Sequence, residues 1–167
     1  MQLYHGSNVV VKEPRLVEQT RGLDFGPGFY LTTNESQAAR FSQIVYNRRR
    51  SGIASVSVYE FDIETAEKTL VICRFANADV QWLRFVLDNR LKTYNGDTYD
   101  IVIGAVANDT VMPTLQAYMN GFLNEEATLI TLRTSNLVDQ VCLKSEEALS
   151  LLRFIVSYDT IEGDGHG

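Results

Sequence analysis

Short runs of alternating apolar and polar residues recur along the chain, separated by turn-forming residues. The segment Ser55 to Phe61 alternates most clearly, and a period of two is typical of a strand with one buried face. Tyr99 to Val106 is almost entirely apolar, as expected of a central strand. The predicted strands are Gln2 to His5, Phe29 to Thr32, Ser55 to Phe61, Leu70 to Cys73, Tyr99 to Val106 and Val138 to Leu143.

Longer segments begin with a capping residue and carry apolar residues at helical spacing. Thr33 or Asn34 is expected to cap the first helix, with Glu35 in its first turn. Asn77 and the pair Asn108-Asp109 are expected to cap two others. The predicted helices are Asn34 to Arg50, Asn77 to Leu91, Asn108 to Asn120, Glu125 to Leu132 and Ser145 to Phe154.

Composition limits the classes of protein to which the chain can belong. Its 167 residues are 45% hydrophobic, enough for one domain with a core, predicted over 1–160 with a frayed tail at 161–167. A formal net charge of −6 argues against binding long nucleic acid by charge alone. The two cysteines show neither metal-ligand nor disulfide spacing. Without an amino-terminal signal pattern or a spanning apolar run, a cytoplasmic protein without membrane contact is predicted.

A glycine-rich turn and two aromatic residues form the first candidate site. Gly26, Pro27 and Gly28 permit a tight turn close to a ligand, and Tyr30 stands two residues after Gly28. Phe41 stands eleven residues later in the predicted helix. The two rings can face one cleft that suits a flat heterocycle, or they can both be core aromatics; spacing alone favours the core.

A second candidate site, His5-Gly6-Ser7, lies at the end of the first predicted strand. Backbone at a glycine can approach a planar amide without a side chain in the way, and an imidazole beside it can form a hydrogen bond. A lone histidine is most often structural, so this pattern gains weight only in combination with the glycine turn.

Together these motifs resemble the ADP-ribosyltransferase superfamily in its diphtheria-toxin and poly(ADP-ribose) polymerase branch. There, His-Gly-Ser/Thr on a strand precedes Gly-x-Gly-[Ile/Phe]-Tyr and a second aromatic eleven residues further on, which match His5, Gly28, Tyr30 and Phe41. Over nearly its whole length the chain is similar to a bacterial family of small stand-alone ADP-ribosyltransferase-like domains. The resemblance implies an α+β fold with two small antiparallel sheets around an NAD cleft and flanking helices.

The same resemblance assigns roles around NAD as the co-substrate. His5 would bond the adenosine ribose, the Gly6 backbone would hold the carboxamide, and Tyr30 and Phe41 would stack on the nicotinamide. Polymerase-type relatives place a serine on the carboxamide where this chain has alanines, so Ser36 is its nearest replacement. The residues implied in cofactor binding are His5, Gly6, Ser7, Gly28, Tyr30, Ser36 and Phe41.

The third member of the implied catalytic set departs from the family. Asp139-Gln140-Val141 resembles the late strand that carries a glutamate in relatives, which makes the set His5, Tyr30 and Gln140. A glutamine carbonyl can accept a hydrogen bond from ribose but cannot act as a general base, a contribution of about a hundredfold or more. Asp139, Glu146 and Glu147 are candidate substitutes by sequence proximity, although a structural or solvated role is preferred for each.

The function implied is mono-ADP-ribosyl transfer from NAD to a protein or nucleic-acid acceptor. The resemblance extends to toxins of bacterial toxin-antitoxin or defence systems, which are neutralised by a partner protein. The alternatives are a domain that binds NAD or ADP-ribose without turnover and an NAD glycohydrolase. Among the basic residues, Arg15 or Arg21 can meet a pyrophosphate or simply be solvated, whereas Arg48-Arg49-Arg50 is expected to complement a helix dipole.

Overall fold

Local sequence signals start and stop most of the elements in the computed structural model, which describes residues 1–18, 21–107, 111–135 and 137–160. Asn34 caps the first helix by accepting a hydrogen bond from Gln37 N at 2.9 Å. The helices are α1 (Glu35–Arg49), α2 (Ile63–Thr69), α3 (Val80–Arg90), α4 (Met112–Met119), α5 (Glu125–Arg133) and α6 (Glu146–Ser150). The strands are β1 (Gln2–Ser7), β2 (Phe29–Thr32), β3 (Ser55–Phe61), β4 (Ile72–Arg74), β5 (Ile101–Ala105), β6 (Asp139–Leu143) and β7 (Leu152–Asp159).

The strands form one sheet in the order β4-β5-β6-β2-β1-β3-β7. Only β4 and β5 are parallel neighbours, and every other neighbouring pair is antiparallel. The α+β class is therefore confirmed, but the expected pair of separate antiparallel sheets is wrong. The half of the sheet formed by β4, β5, β6 and β2 joins the half formed by β1, β3 and β7 where Tyr4 of β1 pairs with Thr32 of β2.

The two faces of the sheet bury different clusters. Cross-strand partners share a face, so one face carries Tyr4, Thr32, Gln140, Tyr30 and Cys142. We call it the α1 face, because α1 packs there over β1 and β3, while α3, α4 and α5 cover the strands at its other end. The opposite face buries a second cluster with α2 and α6. On the α1 face, the strands between α1 and the helices α3, α4 and α5 are β2 and β6.

Two local predictions are wrong and one helix was missed. The helix predicted from Ser145 to Phe154 ends at Ser150, and the β-branched and aromatic residues that follow form β7 against β3, as their strand preference favours. Helix α2, capped by Asp62, was not predicted. Asp79, rather than Asn77, caps α3. The predicted cap Asn108-Asp109, Asn136 and the tail 161–167 lie outside the described residues.

Candidate functional site

Strands β1 and β2 stop pairing at the predicted histidine-glycine motif. Met1 and Phe61 exchange two backbone hydrogen bonds of 2.8 and 3.0 Å, and such pairs alternate along antiparallel strands. The odd-numbered residues of β1 therefore form backbone hydrogen bonds with β3. The N–H and C=O of the even-numbered residues, including Gly6, point the other way, towards β2. Gly6 and Tyr30 would be the next partners after Tyr4 and Thr32, yet the register between the strands ends at Tyr4. The backbone of Gly6 thus faces the point where the strands part.

The His5 side chain links the two strands at this point by a hydrogen bond to a backbone carbonyl of β2. Its Nδ1 lies 2.7 Å from Tyr30 O, and because a carbonyl only accepts, Nδ1 carries the proton and Nε2 is the acceptor in the neutral ring. The imidazole packs on the ring of Phe29 with centroids 4.4 Å apart. Burial lowers the pKa of His5 below 6.5, and the charge of Arg49 lowers it further, against the opposing effect of the Tyr30 hydrogen bond. The structure therefore favours a neutral histidine.

Gly6 and Ser7 are both held in the interior. A Cβ built on Gly6 would lie 2.0 Å from Ala38 O of α1, so the absence of a side chain there already has a packing reason. Ser7 is buried, and its Oγ donates to Asn8 Oδ1 at 3.4 Å. Arg49 Nη1 also donates to Asn8 Oδ1, at 3.1 Å. The carboxyl end of β1 thus carries a cation from α1 beside His5.

Tyr30 holds the glycine turn in place. Its hydroxyl accepts from Phe25 N at 3.0 Å and donates to Gly26 O at 2.5 Å. The ring is half-buried and packs against the core cluster of the α1 face. Burial raises the pKa of Tyr30 far above its ordinary value of 10.0, with the Cys142 thiol adding to the effect. The hydroxyl is therefore neutral and engaged inside the protein, which leaves the ring as the part of Tyr30 that can meet a ligand.

The two glycines of the turn are required for different physical reasons. Gly26 has a φ of +75°, which side-chain-bearing residues rarely adopt. A Cβ on Gly28 would come within 2.4 Å of Cys142 Sγ in β6. Lys144 closes the turn by donating to Phe25 O at 2.5 Å and to Pro27 O at 2.7 Å. Packing on β6 therefore accounts for Gly28 without a ligand.

The two residues predicted on α1 lie on different sides of the helix. Ala38 is buried against β1, and successive residues turn about 100° around a helix. Phe41, three residues later, falls on the flank of that buried side and is 42% exposed. Ser36, two residues earlier, is exposed and about 160° around the helix from Ala38. Phe41 thus offers an accessible ring beside the sheet, whereas Ser36 is separated from the other predicted residues.

Gln140 is buried in a polar network that the sequence did not predict. It is 8% exposed on the α1 face, and its Nε2 donates to Asp24 Oδ2 at 3.2 Å. Ala107 N donates to the same oxygen at 3.0 Å. Arg90 Nε donates to Asp24 Oδ1 at 2.6 Å, and Arg90 Nη2 pairs with that oxygen. Asp24 is therefore the carboxylate beside Gln140.

The carboxylates proposed from sequence proximity lie elsewhere. Glu146 and Glu147 are exposed in the first turn of α6. Asp139 is exposed and lines a cavity of about 750 Å³, together with Phe75, Asp79, Ala105, Arg133 and Leu137 among others. Arg15 and Arg21 are exposed on loops. Nothing in the sequence marked Asp24 beyond its place in a glycine-rich loop, because its partners are distant along the chain.

Comparisons with known proteins add a family but no activity. The family model described as "Protein of unknown function (DUF3990)" matches residues 1–154. No curated protein and no solved structure matches the chain significantly. Within the described residues, no helix has the length and apolar character needed to cross a membrane, and no cluster of three or more His, Cys, Asp or Glu side chains is arranged to hold a metal ion.

Proposed function

We propose that this chain, which belongs to the family described as a protein of unknown function (DUF3990), binds NAD and transfers its ADP-ribose to a protein or nucleic-acid acceptor. The observation that carries the proposal is the parting of β1 from β2 at His5-Gly6. The N–H and the C=O of Gly6, both directed at the point where the two strands stop pairing, match the C=O and NH₂ of a carboxamide.

The remaining groups can meet the riboses and the nicotinamide ring from both faces of the sheet, because the His5 ring packs on Phe29 of the opposite-face cluster whereas Tyr30 and Gln140 lie on the α1 face. The Nε2 of neutral His5 can accept a hydrogen bond from a ribose hydroxyl, since Nδ1 is engaged by Tyr30 O. The Phe41 ring is accessible on α1 for stacking, and the Tyr30 ring lies on the α1 face with Gln140. The carbonyl of Gln140 can accept from the hydroxyl of the nicotinamide-side ribose.

In the proposed reaction, the bond between nicotinamide and ribose C1′ breaks, and nicotinamide leaves with the electron pair. The ribose becomes oxocarbenium-like, and an acceptor oxygen or nitrogen forms the new bond to C1′ while its proton passes to solvent. Fixed polar groups assist by holding the ribose in the reactive geometry. Because Gln140 cannot take that proton, single transfer is favoured over chain elongation.

One observation favours a second candidate, binding of NAD without turnover. The catalytic position carries a neutral amide, and the adjacent carboxylate of Asp24 is paired with Arg90. A site with no available general base forgoes about a hundredfold or more in rate. This candidate predicts thermal stabilisation by NAD with no release of nicotinamide.

The decisive experiment measures nicotinamide release from NAD by the purified protein, with and without cell lysate. Release that needs lysate, is lost in His5→Ala and is reduced but still measurable in Gln140→Ala supports the transferase. Release without lysate supports an NAD glycohydrolase. Thermal stabilisation by NAD without release supports the binding domain, and no response to NAD of either kind contradicts the whole proposal.

A separate titration tests the stacking role of the accessible ring. Phe41→Ala is expected to weaken NAD binding about fivefold to tenfold, equivalent to about 1 kcal/mol for one lost aromatic contact. Phe122, which is 83% exposed beyond α4, provides the matched control Phe122→Ala. Equal NAD affinities for the two variants and the wild-type protein would contradict stacking on Phe41.

A further inference from the structure

The strongest unassigned feature is the buried carboxylate that joins four separate parts of the chain. Asp24 lies in the loop before β2 and is 6% exposed. It accepts hydrogen bonds from Arg90 at the end of α3, from Ala107 N beyond β5 and from Gln140 in β6. Each oxygen has two donor contacts, so the carboxylate is well satisfied despite its burial.

This arrangement determines which end of the Gln140 amide faces Asp24. An ionised carboxylate only accepts hydrogen bonds, so the NH₂ end must face it and the carbonyl end must face away. The choice between the two amide orientations, which is otherwise ambiguous, is therefore fixed by charge. Gln140 Oε1 is consequently an acceptor whose direction is set by Asp24.

Asp24 is poorly suited to act as the missing general base itself. Arg90 engages Oδ1 through two nitrogens, with an Nε to Oδ1 distance of 2.6 Å. Oδ2 already accepts from Ala107 N and Gln140 Nε2, so both oxygens are fully occupied by donors of the protein. The carboxylate can therefore influence a bound ligand only through the groups that donate to it.

We propose that Asp24, held by Arg90, is a positioning residue that fixes Gln140 Oε1 as the acceptor for a ribose hydroxyl of NAD. This inference rests on the proposed function. The Asp24 carboxylate also polarises the Gln140 amide, because hydrogen bonds in a chain strengthen one another. Gln140 is thereby a stronger and better-directed acceptor than a freely rotating glutamine.

The experiment follows the Gln140 amide directly and then its effect on catalysis. The side-chain NH₂ signals of Gln140, assigned with Gln140→Ala, are recorded by NMR for the wild-type protein and for Asp24→Asn. Asp100 accepts from Val71 N at 2.8 Å on another part of the sheet, so Asp100→Asn is the control for loss of one acidic charge. We expect one Gln140 amide proton to be shifted and protected from exchange in wild-type and Asp100→Asn, and to lose both properties in Asp24→Asn.

For nicotinamide release, Asp24→Asn is expected to lower kcat by about tenfold to a hundredfold, the cost of misplacing a reacting group. KM for NAD should change less than threefold. In the Gln140→Ala background the same substitution should have no further effect on kcat, because the amide on which it acts is gone. A further loss in that background would overturn the positioning role.

Two arrangements keep the test decisive. If Asp24→Asn does not fold, the double variant Asp24→Asn with Arg90→Gln, which removes both charges of the pair, is used in its place in both measurements. If the wild-type protein neither binds NAD nor releases nicotinamide, the proposed function fails, whereas the NMR arm still decides whether Asp24 fixes the amide. Unchanged Gln140 signals in Asp24→Asn would overturn the inference whatever the outcome with NAD.

Discussion

At the scale of single residues, each member of the proposed catalytic set uses one polar group to hold the protein together. His5 uses Nδ1 on Tyr30 O, Tyr30 uses its hydroxyl on the glycine turn, and Gln140 uses Nε2 on Asp24. What remains for a ligand is a ring nitrogen, an aromatic face and an amide oxygen. Such groups are suited to binding and orienting a ribose and a flat heterocycle, as the proposed function requires, and none of them is a strong base.

Removal of the Tyr30 hydroxyl should therefore reduce stability more than it reduces NAD affinity. Tyr30→Phe leaves Phe25 N and Gly26 O without their partner, which costs about 1–3 kcal/mol and several degrees in Tm. The exposed Tyr158 hydroxyl donates to Glu35 at 2.6 Å, so Tyr158→Phe is a matched control expected to change stability by less than about 0.5 kcal/mol. Thermal melts compare the two variants, and equal melting temperatures would contradict the role of Tyr30 in the turn.

His5 should make stability depend on pH below its ordinary pKa. Because burial lowers the pKa of folded His5 below 6.5, the unfolded chain binds more protons between the two pKa values. Stability then falls as pH falls through 6.5 and levels off below the folded pKa. The difference in unfolding free energy between wild-type and His5→Gln, measured by urea titration from pH 7.5 to 5.5, should change in that direction. A constant difference across this range would show that His5 is not held neutral.

At the scale of elements, the proposed site lies where α1 packs closely on β1. Gly6 allows this contact, and Asn34 and Glu35 start the helix at the right place. Capping and periodicity are local properties, and they allowed α1, β1, β2 and β3 to be predicted. The single sheet was not predictable in this way, since it depends on the pairing of Tyr4 with Thr32. Strand β7 was missed because Glu146 to Ser150 starts as a helix and the following apolar residues fit either structure.

The contact between α1 and β1 can be tested by adding one methyl group at position 6. Gly6→Ala places Cβ 2.0 Å from Ala38 O and forces the helix away, at a cost of about 1–3 kcal/mol or more. Gly121 has a φ of +78° but no atom within 4 Å of its Cβ position, so Gly121→Ala reports backbone strain alone, about 1–2 kcal/mol. We expect Gly6→Ala to lower Tm and NAD affinity together, while Gly121→Ala lowers only Tm. Retained NAD affinity in a folded Gly6→Ala protein would argue against a nicotinamide site at the Gly6 backbone.

At the scale of the whole molecule, one sheet separates two large cores. Trp82 and Cys142 belong to the core on the α1 face, whereas Leu3, Val141 and Leu143 belong to the core on the opposite face. Consecutive residues of β6 contribute to both, because side chains alternate across a strand. Loss of packing on one face therefore weakens the strands that support the other, and the proposed site between β1 and β2 lies at the junction.

This coupling predicts a single cooperative transition even when only one core is damaged. Leu3 is fully buried on the opposite face, and Leu3→Ala should cost about 2–5 kcal/mol. Trp82, the one tryptophan in the chain and fully buried in the other core, reports unfolding on the far side of the sheet by fluorescence. The fluorescence and circular-dichroism midpoints of Leu3→Ala should fall together, as two-state behaviour requires. A Trp82 transition that stays at its wild-type midpoint while circular dichroism becomes biphasic would show that the two halves unfold separately, and the single β1–β2 pairing at Tyr4 would then be a hinge rather than a join.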